Sequence, residues 1–221
     1  RMALTAMDAH LVDPNAGLVK LLDPPLAHAV PSAGYIQAYP PGVRENGGQY
    51  SHAGVWAMMA QAQFTQGQPD SSVAERDTAY RYFTYLNPAH RAAHPAHNAV
   101  YGIEPYVMAG DVYTQPPYVG RGGWSWYTGS AAWMHRAAIA SIFGLEQSVD
   151  TLRFTPCLPS FWPQAEMTLR RGERSMRFIF TRSAPEVALA AHAHSNPQLL
   201  RVGEALPWAN LAAQTCFVVP I

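Results

Sequence analysis

Charge is scarce in this chain. Asp, Glu, Lys and Arg make up only 14% of its 221 residues, with 15 basic balanced against 15 acidic. No basic stripe breaks that balance, which removes the electrostatic footprint of a nucleic-acid binder. Cysteine is nearly absent: Cys157 and Cys216 alone cannot make a disulfide framework, and a reducing, cytoplasmic setting is expected. No apolar run approaches the ~20 residues that span a bilayer, and no stretch has the pattern of a secretory leader. Internal repeats and low-complexity tracts are missing as well.

Aromatics, by contrast, are plentiful, with 6 Trp, 11 Tyr and 8 Phe. Many rings with few charges suit a large core. They also suit a sugar cleft, where ring faces stack on pyranose faces. The most informative stretch is Tyr39-Pro40-Pro41-Gly42-Val43-Arg44-Glu45-Asn46-Gly47-Gly48-Gln49-Tyr50-Ser51-His52. It places turn residues, a cation, a carboxylate, adjacent glycines and an imidazole directly before an apolar helical pattern. Glycines let a ligand approach the main chain closely, so the run reads as an anion-and-sugar site.

Periodicity divides the chain. Leu4, Met7, Asp8 and Leu11 share one side of a helix that breaks at the turn cluster Asp13–Gly17. A proline-rich loop follows through Pro24, Pro25, Pro31, Pro40 and Pro41. Val55, Trp56, Met59, Ala60 and Gln63 predict a helix over 53–64, ended by Gly67 and Pro69. Ser72-Val73-Ala74-Glu75 has the form of a capping box, opening a helix that stops near Asn87-Pro88. An irregular stretch over 87–103 leads into a helix expected from Glu104 to Tyr113, then a loop over 114–127. Thr128-Gly129-Ser130 opens a helix through Trp133, Arg136, Ala140 and Phe143, closed by Gly144. Beyond about residue 146 the period changes from 3.6 to 2. Runs at 151–154, 167–169, 176–180, 187–191, 199–202 and 215–219 predict short strands of a sandwich. The expected fold is α+β, with helices over 1–145 and a β-rich module over 146–221.

Several groups could carry chemistry. His52 and Thr128-Gly129-Ser130 both stand at predicted helix N-termini, where unpaired N–H groups and a partial positive charge seat anions. Together they would cradle phosphate; alternatively Thr128 and Ser130 are ordinary N-caps and His52 a packed helix-end residue. Arg44 and Glu45 would face one cleft if the loop curls at Gly42 or Gly47, or else form a surface ion pair. Glu104 and Asp111 would share a helix face and could mimic an acid/base pair, or position a loop and brace a helix. His90, His94 and His97 invite a zinc reading, which Pro95 and the lack of a nearby cysteine disfavour. No metal site is expected, and Gly129-Ser130 lacks the flanks of a nucleophile elbow.

The run Arg44-Glu45-Asn46-Gly47-Gly48 ending in His52 and followed by Trp56 resembles a signature of the inverting phosphorylases of glycoside hydrolase family 94. The run Gly122-Gly123-Trp124-Ser125-Trp126-Tyr127-Thr128-Gly129-Ser130-Ala131-Ala132-Trp133-Met134 is similar to that family's second signature. Glu104-Pro105-Tyr106 and Asp111-Val112-Tyr113, with Tyr39 to Tyr50, look most like the C-terminal region of cyclic β-1,2-glucan synthases. The similarity runs to about residue 182.

The resemblance implies the C-terminal part of an (α/α)₆ barrel followed by a small β-sandwich-like module. It implies that His52, Thr128 and Gly129 hold inorganic phosphate, a co-substrate, with no cofactor. It makes Glu45 the acceptor-sugar contact, with Arg44 standing where relatives carry Lys, a planar fork in place of a point charge. In such enzymes phosphate attacks the anomeric carbon while a carboxylic acid protonates the leaving oxygen, inverting configuration. The family's acid lies in an Asp-Trp-Asn-Asp-type motif upstream of the matched part, and 1–221 contains none. The expectation is therefore a C-terminal portion of a larger enzyme acting on β-glucan oligosaccharide, inactive alone. Its partner would be the N-terminal remainder, and the resemblance implies that the chain is a soluble domain of an inner-membrane synthase. Half a barrel would expose Trp56, Met59 and Trp133, so self-association is a further expectation. A non-catalytic glucan-binding module and an inverting hydrolase of related fold remain the alternatives.

Overall fold

The computed structural model describes residues 1–66, 68 and 71–221, which form two compact units, Arg1–Ala138 and Ile139–Ile221. The first is built on helices and the second on strands, a mixed α+β composition.

In the first unit α1 (Met2–Leu11) leads into a hairpin of β1 (Val12–Asp13) and β2 (Leu18–Val19). The hairpin turns where Asp13 Oδ1 accepts the N–H groups of Asn15 and Ala16 at 3.0 and 3.1 Å, the local competition for backbone donors that favours Asp in turns. A short helix α2 (Tyr35–Ala38) interrupts the proline-rich loop. β3 (Gln49–Tyr50) then runs straight into α3 (Ser51–Gln66), which spans the predicted 53–64. Its proposed stop at Gly67 and Pro69 lies outside the described residues.

α4 (Val73–Leu86) begins with the capping box read from sequence: Glu75 N–H donates to Ser72 Oγ and Ser72 N–H to the Glu75 carboxylate. Helices α3 and α4 pack antiparallel. Gln61 Nε2 donates to the carbonyl of Glu75 at 3.1 Å, while Gly54 lies against Leu86 at the opposite end. Val55, Met58, Ala62, Ala79 and Tyr82 are fully buried in this pair. Asp8 fastens α1 to α4 by accepting from Arg81 at 2.6 Å and from the Tyr82 hydroxyl at 2.5 Å.

The stretch expected to be irregular instead holds α5 (Pro88–Arg91) and α6 (Pro95–Tyr101). Each has proline in its first turn and a side-chain cap, from Asn87 and His94, so the proline that ends one helix starts the next. The helix expected from Glu104 to Tyr113 does not form. Asp111 and Val112 make β4 (Asp111–Val112), pairing antiparallel with β3 through Gln49↔Val112 and Tyr50↔Asp111. Long-range pairing overrides the local pattern there. Leu18, Tyr101, Ala109 and Val112 form a core cluster beneath it. α7 (Thr128–Ala137) follows, then a π-helical turn at Ala138–Ile142 and Gly144 with φ of 70°.

The second unit holds two sheets. β5 (Leu145–Gln147), β6 (Thr151–Phe154) and β10 (Leu206–Pro207) form one, in the order β10-β6-β5. The other contains β7 (Gln164–Arg171), β8 (Arg174–Thr181), β9 (Gln198–Leu199) and β11 (Gln214–Pro220), in the order β7-β8-β11-β9. β11 runs parallel to both neighbours, and its unbroken apolar run Cys216–Val219 is buried on both faces, as a central strand requires. Phe154 of the first sheet meets Phe178 and Phe180 of the second at ring separations of 4.6 and 5.1 Å. Residues 187–191, expected as a strand, lie in α8 (Pro185–Ala191), another helix opened by proline.

Candidate functional site

The Arg44–His52 run folds as a knot of short turns. Gly42 N–H donates to Asn46 O, Asn46 N–H to Val43 O and Gly48 N–H to Arg44 O. Gly47 has φ of 91°, and a Cβ on Gly48 would lie 2.7 Å from Arg44 O, so the knot closes only with glycine at both positions. Asn46 is fully buried and clamps the knot to the proline-rich loop, accepting from Leu26 N–H at 2.6 Å and donating to Tyr39 O at 2.7 Å. Gln49, also fully buried, accepts from Val19 N–H and donates to Tyr85 O.

Arg44 takes a left-handed conformation, φ 47°, held by a bond from its N–H to Asp111 Oδ2 at 2.8 Å. Its guanidinium lies over the rings of Trp124 and Tyr39, 4.6 and 5.6 Å from their centroids. The surface ion pair with Glu45 does not form; Glu45 Oε2 is buried and without a hydrogen-bond partner. Asp111 is 1% exposed. Burial pushes its carboxyl above the ordinary value, opposed by the backbone N–H groups of Arg44 and Trp124 and by the Arg44 charge. It ties the loop carrying Arg44 to the loop carrying Trp124. Nothing in the local sequence announces that role, because both partners are main-chain groups far away.

Helices α3 and α7 run parallel: His52 meets Gly129 at their first turns, and Trp56 meets Trp133 one turn further on. Both N-termini therefore open at the same end. A Cβ at position 129 would lie 3.1 Å from His52 Cε1, so the imidazole rests directly on the glycine. Thr128 is exposed in the first turn of α7, and no side chain caps that helix. Ser130 is buried and donates to the carbonyls of Tyr127 and Ala109. The N-cap alternative for Thr128 and Ser130 therefore does not hold.

Two tyrosines join these parts. The hydroxyls of Tyr50 and Tyr127 lie 3.4 Å apart, and this bond, with burial, raises Tyr50 to about 12. The His52 ring lies 5.3 Å from Tyr127 and 6.1 Å from Tyr50. Arg44 and Glu45 act electrostatically on the same Tyr50 hydroxyl. His52 and Gly129 thus lie beside this pair and Thr128 follows Tyr127 in the chain, while Arg44 and Glu45 come within electrostatic reach of it. The pair itself carries no signal in the local sequence. Exposed rings rim the place: Trp56, Trp124, Trp126 and Tyr106 are all more than half exposed.

Glu104 and Asp111 are not an acid/base pair. Glu104 accepts from Trp126 Nε1 at 3.1 Å on the rim, and Asp111 sits in β4. His94 caps α6 through Nδ1, His90 packs against Tyr80 and Phe83, and no metal-binding cluster occurs among the described residues. No helix among them is long and apolar enough to cross a membrane.

Residues 1–144 match the Glycosyl hydrolase 94 superfamily, catalytic domain. The chain is 41% identical over 182 residues to the cyclic beta-(1,2)-glucan synthase NdvB of Rhizobium meliloti (strain 1021), covering 82% of this chain and 6% of that protein. It is 29% identical over 180 residues to solabiose phosphorylase of Paenibacillus borealis, covering 80% and 21%. Against N,N'-diacetylchitobiose phosphorylase of Vibrio proteolyticus it is 28% identical over 173 residues, covering 75% and 19%. The chain thus spans about a fifth or less of the length of these relatives.

Proposed function

The chain belongs to the glycosyl hydrolase 94 superfamily, and from that membership and the cleft geometry we infer that it carries the phosphate- and acceptor-sugar-binding half of an inverting phosphorolysis site. The observation that carries this reading is the parallel pairing of α3 and α7, with His52 seated on Gly129 between the two N-termini. Each helix contributes a partial positive charge of roughly half an electron and free N–H groups at that end. Phosphate is already anionic and needs positioning more than activation. His52, the Thr128 hydroxyl and the Gly129 N–H supply that positioning.

Glu45 and Arg44 take the acceptor sugar. A buried carboxylate oxygen without a partner is costly, and a sugar hydroxyl supplies the missing donor. Arg44, braced on Trp124, presents a fixed fork beside it. Exposed rings at the rim offer faces for further pyranose units.

None of these five residues is the general acid. We place that acid, with the remaining helices of an (α/α)₆ barrel, in another part of a longer enzyme of which residues 1–145 are the barrel portion. Residues 146–221 are then the β-rich module that follows. The substrate is a β-1,2-linked glucan, phosphate is the co-substrate, and no cofactor takes part. Such an enzyme would place this chain as a soluble domain of a membrane synthase.

In the longer enzyme, His52→Ala lowers phosphate-dependent release of sugar 1-phosphate by about 10²-fold, the usual effect of losing one positioned anion donor. An unchanged rate would remove His52 from the phosphate site. Glucan binding without turnover would mark a binding module, and products free of phosphate would mark a hydrolase.

A further inference from the structure

Apart from that cleft, the first unit holds a cavity of about 560 Å³, walled in part by Gly17, Tyr85, His90, Arg91, His97 and Tyr101. None of Arg44, Glu45, His52, Thr128 or Gly129 lines it. Its volume falls in the range of small-molecule sites. Its lining among the described residues has one guanidinium and two imidazoles, and no carboxylate.

Arg91 is anchored at one corner only. Nη1 donates to the Gly17 carbonyl at 3.1 Å, while Nε and Nη2 are buried and have no hydrogen-bond partner. Those two nitrogens form the side-on edge of the guanidinium, where two parallel N–H groups match two oxygens of one carboxylate or phosphate. A buried cation with two unmet donors is costly unless an anion reaches it. Burial also pulls the Arg91 pKa below its ordinary value, with Tyr101 the weaker opposing influence, as expected of a cation lacking a counter-charge. Arg91 is moreover the last residue of α5, whose start is fixed by Pro88 and the Asn87 cap, so its backbone is set in place by the fold and its guanidinium is tethered at Gly17 O.

We propose that this cavity is a second anion site, in which the Nε/Nη2 edge of Arg91 grips the two oxygens of a carboxylate or phosphate group. The group belongs either to a small free anion or to an acidic side chain from another part of the longer enzyme. The chemistry at Arg91 is the same in both cases.

The test follows the Arg91 Nε–H resonance, assigned by its loss in Arg91→Lys, while acetate and then inorganic phosphate are added to the purified chain. The expected result is a saturable shift with at least one of these anions, retained in His52→Ala and not reproduced by equimolar chloride. A resonance that moves no further than with chloride overturns the proposal. If Arg91→Lys does not fold, through-bond correlation from the Arg91 backbone assigns the same signal in the unsubstituted protein. In the longer enzyme, a signal already at the saturated position and insensitive to added anions identifies a carboxylate of the polypeptide. One that titrates as in the purified chain identifies a free anion. A signal that neither occupies the saturated position nor titrates there overturns the site.

Discussion

Asp111→Ala removes the acceptor that holds the two cleft loops together, and its cost follows from the structure. The carboxylate is 1% exposed and accepts backbone N–H groups from Arg44 and Trp124. Hydrogen bonds to a charged acceptor contribute ~1.5–3 kcal/mol each. Losing both is partly offset, because alanine no longer buries a charge, an effect large enough to raise the Asp111 pKa. The net expectation is a loss of about 2–4 kcal/mol, and about 1–2 kcal/mol for Asp111→Asn, which keeps an acceptor oxygen. Urea unfolding followed by tryptophan fluorescence measures both, with Trp124 as a local reporter. The sign of the pH dependence is a sharper check. Since the folded-state pKa lies above the ordinary 3.8, the folded state holds the proton more tightly. Stability from the neutral carboxyl is therefore present in acid and lost as pH rises through the raised value. The advantage of the unsubstituted protein over Asp111→Asn should widen from about pH 7 toward pH 4. A gap that narrows on acidification, or an alanine variant within about 0.5 kcal/mol of the parent, would refute the assignment.

Gly129→Ala pits stability against function. Alanine favours a helix over glycine by up to ~1 kcal/mol, yet its Cβ would sit 3.1 Å from His52 Cε1. Melting temperature should hold or rise while the phosphate KM of the longer enzyme climbs about tenfold, or ~1.4 kcal/mol; an unchanged KM would detach this contact from phosphate binding. Phe178→Ala empties a fully buried position between Phe154 and Phe217 and should cost ~3–5 kcal/mol in denaturant unfolding of the second unit. A cost below about 1 kcal/mol would mean that the rings re-pack freely. Ser72→Ala breaks the capping box of α4, costing ~1 kcal/mol, measurable as faster amide exchange in its first turn. The bonds to Ser72, backbone first, lower the Glu75 pKa from 4.5, so the capping benefit is present above that value and lost as pH falls through the lowered one. The Ser72→Ala penalty should accordingly shrink in acid.

Local signals were legible where one segment decided its own conformation. The apolar spacing of Val55, Trp56 and Met59 and the Ser72–Glu75 box placed α3 and α4. Proline signals a stop at Asn87-Pro88, yet its fixed φ and missing N–H suit a first turn equally well, so the local pattern does not announce α5 and α6. The Glu104-to-Tyr113 helix failed for another reason. Asp111 answers to Tyr50 and Arg44, more than sixty residues earlier in the chain, and no window of sequence contains all three. The same limit applies to the cleft. Arg44, Glu45 and His52 stand out as a polar, glycine-bearing run, but the nearby Tyr50–Tyr127 contact joins residues 77 apart in the chain. At Arg91 the sequence shows only another basic residue near histidines; the vacant edge of its guanidinium is a property of packing alone.

The position of β11 between β8 and β9 has a consequence for synthesis. Hairpin β7–β8 can pair as soon as it leaves the ribosome, but β9 has no partner until Gln214–Pro220 has emerged to lie beside it. Until then the β8 edge displays unpaired groups next to Phe178 and Ile179, a template for pairing with another chain. Closure is a late, long-range and therefore slow event. A nascent chain halted before residue 214 would be an aggregation hazard, and one completed past residue 220 would seal its own edge.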